Sequence, residues 1–205
     1  MLPSPSKIVC VGRNYAAHAK ELGNDVPAEP LIFLKPPSSL IRNAASIRLP
    51  RVSNQVEYEG EIGVVIGRRL HRATASEARD AIAGIVAAND VTARDLQRSD
   101  SQWTRAKGFD TFCAVGDMGP VPADLSTLTV TTRVNGEVRQ EGRASDMVFN
   151  IPTLIAYISE VMTLEQNDLI LTGTPDGVGT LAPGDVVEVQ IPGVSRVVNP
   201  VTDAA

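Results

Sequence analysis

The stretch VEYEGEIGVVIG at residues 56–67 places the strictest condition on how this chain folds. Glu57, Glu59 and Glu61 alternate along it and then give way to a continuously apolar run. This pattern predicts one strand that enters a buried core, with the three carboxylates on the same face. Such carboxylates repel one another unless solvent or a cation compensates, and their oxygens suit Mg²⁺, Mn²⁺ or Ca²⁺. The stretch alone leaves two alternatives open, an exposed charged edge strand and a metal site.

Short apolar runs and turn signals in the rest of the chain predict a fold rich in β-strands. Strands are predicted in KIVCVG, LIFLK, IRLP, IVAAND, DLILT and VVEVQIPGVSRVV, and the Asn-Gly pair in TVTTRVNGEVRQ predicts a type I′ hairpin. Helices are predicted at residues 14–23, 74–85 and 151–164. Asn14 is the predicted N-cap of the first helix, and Thr74 or Ser76 that of the second. Because helices do not alternate strictly with strands, the pattern predicts an α+β fold rather than a parallel doubly wound sheet.

Length and hydropathy predict how the chain is organised. The chain has 205 residues, of which 43% are hydrophobic, and this is enough for one well-formed core over residues 7–205. Residues 1–6 contain two prolines and two serines and predict a flexible N-terminal tail. The apolar runs fall short of the ~18 residues that a membrane span needs, and the N-terminus lacks the apolar segment of a signal peptide. We therefore expect a cytoplasmic protein that does not associate with a membrane.

Net charge and cysteine spacing argue against a nucleic-acid-binding protein and against a thiolate metal site. A net charge of -5 argues against a nucleic-acid partner, because such proteins usually carry a basic face that neutralises phosphates. Cys10 and Cys113 lie inside apolar runs and lack the spacing of a thiolate metal site. We expect both to be buried free thiols.

Several polar residues at unusual positions are candidates for chemistry. Asp90 ends the apolar run AGIVAAND, where a carboxylate needs a partner to offset its burial, although a simple turn aspartate is the alternative. His18 and Glu21 are three residues apart, so on a helix Glu21 can orient the imidazole as a base, unless both are surface residues. Lys107 lies among apolar and aromatic residues in WTRAKGFD, and it is either buried or reaches the surface along its aliphatic stem.

The loop TGTPDGVG at residues 172–179 offers backbone amides and threonine hydroxyls to a substrate carboxylate. It lacks the GK[ST] ending of a phosphate-binding P-loop. The chain also contains neither a dinucleotide-binding fingerprint nor a GxSxG nucleophile elbow. These absences argue against nucleotide-dependent chemistry and against a serine hydrolase of that type.

Eight sequence blocks, in this order, resemble one known family. They are GRNYAAHAKELG, PLIFLKP, VEYEGEIGVVIG, AANDVTARDLQ, WTRAKGFDTFC, VNGEVRQ, SDMVFNIPTLIAYIS and LILTGTPDGVG. Together they are similar to the fumarylacetoacetate hydrolase family, and in motif to its acylpyruvate hydrolase, oxaloacetate decarboxylase and 2-hydroxyhepta-2,4-diene-1,7-dioate isomerase group. The resemblance implies an α+β fold, a mixed β-roll with flanking helices, that assembles as a homodimer.

The resemblance also implies a metal site. The family's ExE strand and a later aspartate bind Mg²⁺ or Mn²⁺, and here these residues are Glu59, Glu61 and Asp90. Glu57 lies just outside the ExE pair, so we expect it to support the site from outside the coordination sphere or to be solvated.

Roles for further residues follow from the same resemblance. The family's HxxE helix, which folds over the substrate and activates water, matches His18 and Glu21, and its active-site lysine matches Lys107. Contacts with the substrate carboxylate and carbonyl are implied for Arg94, Gln97 and Thr174, with Arg13 as a secondary candidate.

The function implied is a divalent-metal-dependent hydrolase that cleaves a carbon–carbon bond in a small 2-oxo acid of the acylpyruvate or fumarylpyruvate type. Decarboxylation of oxaloacetate uses the same stabilisation of an enolate. The main alternative is an isomerase or decarboxylase of 2-hydroxy-diene dioates in aromatic catabolism, which needs no water. The pairing of His18 with Glu21 favours hydrolysis, and the complete set of motif residues argues against a metal-binding protein without catalytic activity.

Overall fold

Three β-sheets with short flanking helices form this chain, as seen in a computed structural model that describes residues 4–203. The strands are β1 (Ile8–Gly12), β2 (Leu31–Lys35), β3 (Leu40–Arg42), β4 (Ile47–Leu49), β5 (Val56–Tyr58), β6 (Gly60–Ile66), β7 (Ile82–Asp90), β8 (Thr92–Ala93), β9 (Cys113–Val115), β10 (Thr129–Val134), β11 (Glu137–Arg143), β12 (Leu169–Leu171), β13 (Gly179–Thr180), β14 (Val186–Ile191) and β15 (Ser195–Asp203). The helices are α1 (Ala16–Glu21), α2 (Ala75–Asp80), α3 (Arg94–Ser99), α4 (Thr104–Lys107) and α5 (Ile151–Val161).

The strand order confirms the predicted mixed β fold. The largest sheet has seven strands in the order β2-β1-β12-β6-β7-β9-β3, the second has five in the order β11-β10-β14-β15-β4, and β13-β5-β8 form a small third sheet. Most pairs are antiparallel, but β1 pairs with β12 in parallel, as do β3 with β9 and β4 with β15. The α+β class and the β-roll with flanking helices are therefore as predicted.

The core lies between the two large sheets and under helix α5. Alternate residues of each central strand face opposite sides, as the two-residue period of a strand requires. Ile62 and Val64 of β6 join the cluster that also contains Val189 of β14 and Leu154 of α5, whereas Val65 packs on the other face. Burial of both faces explains why β6 and β7 read as continuous apolar runs in the sequence.

Several local predictions are confirmed. Asn135 and Gly136 have φ angles of 54° and 84°, as the type I′ hairpin between β10 and β11 requires. Thr74 caps α2 and forms a capping box with Glu77. Helix α5 occupies most of the predicted range, and both cysteines are buried and free. No helix within residues 4–203 combines the length and the apolar character that crossing a membrane requires.

Two helix predictions are wrong in detail. Asn14 is not the N-cap of α1, which begins at Ala16 after Tyr15. The Asn14 side chain instead donates hydrogen bonds to the carbonyls of Phe149 and Thr172, and so ties this loop to two distant segments. Helix α2 ends at Asp80, earlier than predicted, because the following residues from Ile82 onward pair with β6.

The prediction of one continuous strand through the three glutamates is also wrong. The chain leaves the small sheet after Tyr58 and enters the seven-stranded sheet at Gly60, and Glu59 lies between the two strands. The backbone N–H of Glu59 donates to the Asn89 side chain, and its carbonyl accepts from the N–H of Asp90. The three glutamates are therefore divided between two sheets, with Glu59 at the junction.

The N-terminal segment is only partly described. Residues 1–3 of the predicted flexible tail lie outside the described residues. Ser6 donates from its backbone nitrogen and its hydroxyl to Asp168, at 3.0 Å and 2.7 Å. Ser6 is therefore bonded to the loop that precedes β12.

Candidate active site

Three buried carboxylates meet where β6 begins and β7 ends. Glu59 and Glu61 flank Gly60, which pairs with Asn89, the neighbour of Asp90. Because the two strands are antiparallel, this pairing brings the start of one and the end of the other to the same edge. One carboxylate oxygen from each of Glu59, Glu61 and Asp90 lies within 4.8 Å of the others. The exposed edge strand and the turn aspartate are thus excluded as alternatives, since these side chains are at most 5% exposed.

Lys107 is buried against two of these carboxylates. Its Nζ lies 2.7 Å from Glu59 Oε2 and 2.8 Å from Asp90 Oδ2, and the residue is 2% exposed, so the alternative of a surface-reaching lysine is wrong. Burial lowers the pKa of Lys107, but Asp90 and Glu59 raise it by more, and the net shift is upward. The ammonium therefore stays protonated at neutral pH.

Arg94 joins Glu57 to Glu59. Its Nε donates to Glu57 Oε2 at 2.7 Å and its Nη2 to Glu59 Oε1 at 2.5 Å, while Nη1 donates to Gln97 Oε1 at 2.5 Å. Glu57 is buried in this ion pair, so of its two predicted alternatives, support of the site from outside the coordination sphere and solvation, the second is excluded. Two of the guanidinium nitrogens of Arg94 thus hold the carboxylates of this site in place.

Lys35 is a site residue that sequence reasoning missed. Its Nζ lies 2.6 Å from Asp90 Oδ1 and 3.1 Å from the carbonyl of Val91, and the residue is 1% exposed. A lysine that ends the apolar strand LIFLK immediately before two prolines was the available signal. Such a lysine, if it points inward, needs a buried carboxylate as its partner.

The electrostatics of the cluster call for further positive charge. Burial raises the pKa of Glu59, but Lys107 and Arg94 lower it by more, so this carboxyl group is ionised. Burial raises the pKa of Glu61 as well, and the neighbouring Asp90 and Glu59 push it further above its usual range. Glu61 accepts its hydrogen bond from the backbone N–H of Gly173 at 2.7 Å, whereas its two neighbours pair with cationic side chains.

The donor set fits a hard divalent cation. Glu57, Glu59, Glu61 and Asp90 face three cationic side chains, which leaves one carboxylate uncompensated when all are ionised. Oxygen ligands of this kind suit Mg²⁺ and Mn²⁺. The predicted ligands Glu59, Glu61 and Asp90 could therefore hold such an ion.

Helix α1 contributes a histidine and a glutamate near the carboxylates. His18 Nδ1 lies 3.0 Å from Glu21 Oε2, and the histidine is 5% exposed, which excludes the alternative of a simple surface pair. Glu21 Oε1 accepts from the N–H of Gly177 at 3.0 Å, and the Gly177 carbonyl accepts from the Tyr58 hydroxyl at 2.9 Å. The TGTPDGVG loop thus fixes Glu21, and Glu21 fixes the imidazole.

Thr174 and Gln140 hold the backbone next to Gly60. The Thr174 hydroxyl donates to the Gly60 carbonyl at 2.9 Å and accepts from Gln140 Nε2 at 2.8 Å. Gln140 Oε1 in turn accepts from the Gly60 N–H at 2.9 Å. Gln140, which sequence reasoning missed, lies in the hairpin strand β11, and no local pattern marks it.

A cavity of about 370 Å³ opens above this cluster, a size that suits a small ligand. All of the predicted site residues except Asp90 line it, namely His18, Glu21, Glu59, Glu61, Arg94, Gln97, Lys107 and Thr174. Asp90 is fully buried and contacts Lys107. Phe33 and Trp103 form an apolar wall with ring centroids 5.3 Å apart in an edge-on arrangement.

Comparison with known proteins gives consistent matches over nearly the whole described chain. Residues 7–202 match the protein family described as fumarylacetoacetate (FAA) hydrolase C-terminal. The chain is 47% identical over 203 residues to the mitochondrial oxaloacetate tautomerase FAHD1 of Arabidopsis thaliana, and the match covers 96% of this chain and 91% of that protein. It is 45% identical over 195 residues to the mitochondrial oxaloacetate decarboxylase of Dictyostelium discoideum, covering 92% of this chain and 89% of that protein.

A solved structure also resembles this one. The 2-hydroxyhepta-2,4-diene-1,7-dioate isomerase from Mycobacterium marinum superposes with a TM-score of 0.90 at 45% sequence identity. The superposition covers 98% of this chain and 76% of that protein. Sequence and fold therefore point to the same family.

Proposed function

The chain belongs to the fumarylacetoacetate hydrolase family, and on this premise we propose that it cleaves a carbon–carbon bond in a small 2-oxo acid with the help of Mg²⁺ or Mn²⁺. One observation carries the proposal. The oxygens of Glu59, Glu61 and Asp90 lie within 4.8 Å of one another beside the buried ammonium of Lys107, at a cavity that His18 also lines.

The three carboxylates would hold the divalent cation. When bound, such a cation supplies Lewis-acid stabilisation of negative charge on substrate oxygens. Arg94 and Lys35 hold the carboxylates of Glu59 and Asp90 in fixed orientations, so the ligands need little rearrangement. The same pairs exclude water from the back of the cluster, because both cationic side chains are buried.

Lys107 adds a fixed positive charge where an enolate would develop. Removal of an acyl group or of CO₂ from the carbon next to a 2-oxo group leaves electrons on the keto oxygen. A buried ammonium stabilises that charge more than it would in water, because the surroundings cannot screen it. Lys107 lines the cavity, so this charge is available to a bound substrate.

His18 is the group that can move a proton. Its Nδ1 is held by Glu21, which leaves Nε2 as the ring nitrogen able to accept a proton from water. The carboxylate of Glu21 also stabilises the imidazolium that forms. In an acylpyruvate, attack of that water on the distal carbonyl would release an acid and the enolate of pyruvate.

The names of relatives favour two related reactions. A tautomerase and a decarboxylase of oxaloacetate are 47% and 45% identical to this chain, and both reactions pass through an enol or enolate of a 2-oxo acid. The similar isomerase structure supports the alternative that this chain isomerises or decarboxylates a 2-hydroxy-diene dioate, a reaction that stabilises a dienolate without adding water. Carbon–carbon cleavage remains our first proposal, because the His18–Glu21 pair is intact.

The test uses chelator-treated protein with acetylpyruvate, fumarylpyruvate and oxaloacetate, each with and without added Mg²⁺ or Mn²⁺. Pyruvate formation is followed above the background of metal alone, and we expect it only with metal. Glu61→Gln is the matched variant, since it keeps the size of the side chain and removes its charge. It should lose both Mn²⁺ binding by calorimetry and pyruvate formation. Pyruvate formation without added metal, or a Glu61→Gln protein with the activity of the wild type, would contradict the proposal. A change in the ultraviolet absorbance of a 2-hydroxy-diene dioate, with no pyruvate formed, would favour the isomerase alternative.

A further inference from the structure

Arg13 has an unusual backbone conformation at the edge of the cavity. It follows Gly12 at the end of β1, and its φ angle of 57° lies in the left-handed region that side chains other than glycine rarely adopt. Asn14 holds the loop in place through its bonds to Phe149 and Thr172. Strained residues of this kind cluster at ligand sites, where the surrounding structure maintains them.

Arg13 also differs in its partners from the other cations that line the cavity. Arg94 and Lys107 are paired with buried carboxylates, and Arg98 donates to Gln55 Oε1 at 3.0 Å. Arg13 is half-buried, yet within residues 4–203 its guanidinium has no hydrogen-bond acceptor or ion-pair partner. A guanidinium in this state presents paired donors that match a carboxylate.

The sheet register places Arg13 at the level of the carboxylate cluster. Cys10 of β1 is paired with Leu171 of β12, and Leu171 is paired with Gly63 of β6. Carried two residues further, the same register aligns Gly12, Gly173 and Glu61. The hydrogen bond from the Gly173 N–H to Glu61 agrees with this alignment. Two strand spacings, or about 10 Å, therefore separate the end of β1 from the cluster.

We propose that Arg13 binds a second carboxylate of the substrate, at the end remote from the 2-oxo acid group. The inference rests on the proposed function, which assigns the 2-oxo acid group of the substrate to the carboxylate cluster. Arg13 and the carboxylate cluster lie at one edge of the sheet and line one cavity, so a short chain can reach both. The preferred substrates are then dicarboxylic 2-oxo acids such as oxaloacetate, ahead of acylpyruvates that end in a methyl group.

The kinetic test compares oxaloacetate with acetylpyruvate in the wild type, Arg13→Gln and Arg13→Lys. We expect Arg13→Gln to lower the ratio of kcat/KM for oxaloacetate to kcat/KM for acetylpyruvate about tenfold or more. Arg13→Lys, which keeps the charge but not the paired donors, should retain part of the ratio. Arg69→Gln removes the same charge from an exposed side chain outside the cavity and is the control. An unchanged ratio in Arg13→Gln would overturn the inference.

A binding test judges Arg13 without turnover. Malate and 2-hydroxybutyrate have the same 2-hydroxy acid group, but 2-hydroxybutyrate carries a methyl group where malate carries its distal carboxylate. Calorimetry on Mn²⁺-loaded protein should find that the wild type prefers malate by about tenfold or more, and that Arg13→Gln loses this preference. Equal binding of both compounds, binding of neither, or a preference that survives in Arg13→Gln would each refute the role of Arg13. If malate preference is lost in Arg13→Gln while no 2-oxo acid is turned over, the proposed function fails and the anion site stands.

Discussion

The Nζ of Lys107 lies 2.7 Å from Glu59 Oε2, and both residues are buried. This pair links a residue proposed to stabilise an enolate to one proposed to bind the metal. Loss of the ammonium would affect both tasks, since Glu59 and Asp90 would then repel each other with less compensation. The Lys107 Nζ is thus expected to contribute both to enolate stabilisation and to metal binding.

Lys107→Met should lower kcat on oxaloacetate about 100-fold or more, because a fixed charge at a developing oxyanion contributes about 2.7–4 kcal/mol. Steady-state kinetics with saturating Mn²⁺ measures the effect. Arg105→Gln lies on the same short helix α4 but has an exposed side chain paired with Asp100, and it should retain activity. Equal activity of the two variants would remove Lys107 from the proposed mechanism.

Lys35→Met should weaken Mn²⁺ binding and destabilise the protein. It leaves Asp90 Oδ1 without its buried ion-pair partner, and breaking such a pair costs about 3–5 kcal/mol. Urea unfolding of the metal-free protein measures the stability, and calorimetry measures the affinity. The double variant with Asp90→Asn should recover part of the stability but none of the Mn²⁺ binding. A double variant less stable than Lys35→Met would contradict this account.

Lys35 also illustrates which features sequence could and could not predict. The glutamates and Asp90 could be singled out because the glutamates alternate just before an apolar run and Asp90 ends one, where a carboxylate demands compensation. Their role as metal ligands was implied by the family resemblance. The partner of Asp90 was not predictable, since Lys35 lies 55 residues away in sequence and reaches Asp90 only through the strand order of the sheet. Gln140 was missed for the same reason, as it contacts Gly60 across 80 residues.

The interruption of the predicted strand at Glu59 has a different physical origin. The alternation through Glu57 and Glu61 satisfies the rule for one strand, and nothing local marks a change of sheet. The change depends on β5 pairing with β8 and β13, which are distant in sequence. Local patterns thus predicted the elements and the charged residues, whereas long-range pairing decides which sheet each of these residues joins.

His18→Ala should reduce hydrolysis of an acylpyruvate about 10²–10⁴-fold, the usual contribution of general base catalysis. Glu21→Gln should reduce it less, because the amide can still accept a hydrogen bond at its oxygen. Decarboxylation of oxaloacetate requires no attacking water, so it should fall less than hydrolysis in His18→Ala. A His18→Ala protein with full hydrolase activity would contradict the proposed base and favour the isomerase alternative.

Gly60→Ala should destabilise the protein and weaken Mn²⁺ binding. A Cβ at this position would lie 1.8 Å from Thr132 Oγ1, so β6 would have to move away from β10 and carry Glu59 and Glu61 with it. Overpacking of this kind costs about 1–3 kcal/mol. Thr132 Oγ1 is buried and finds no hydrogen-bond partner among residues 4–203, so adding Thr132→Ala removes the clash and should restore much of the stability. If the double variant is no more stable than Gly60→Ala, the clash is not the cause.

Asp168→Asn should destabilise the protein more at neutral pH than in acid. Burial raises the pKa of Asp168, but hydrogen bonds from Lys7, Glu165 and Ser6 lower it by more, so the folded-state pKa is below its usual value. A group with a depressed pKa stabilises the fold fully above its unfolded pKa of about 3.9, and this contribution is lost as the pH falls through the folded pKa. Urea unfolding should therefore show about 1–3 kcal/mol lost at pH ~7 in Asp168→Asn, because charged hydrogen bonds have this strength, and a smaller difference at pH ~3. Asp110→Asn, at an exposed position, is the control. A difference between wild type and Asp168→Asn that grows toward acid pH would contradict the assigned direction of the pKa shift.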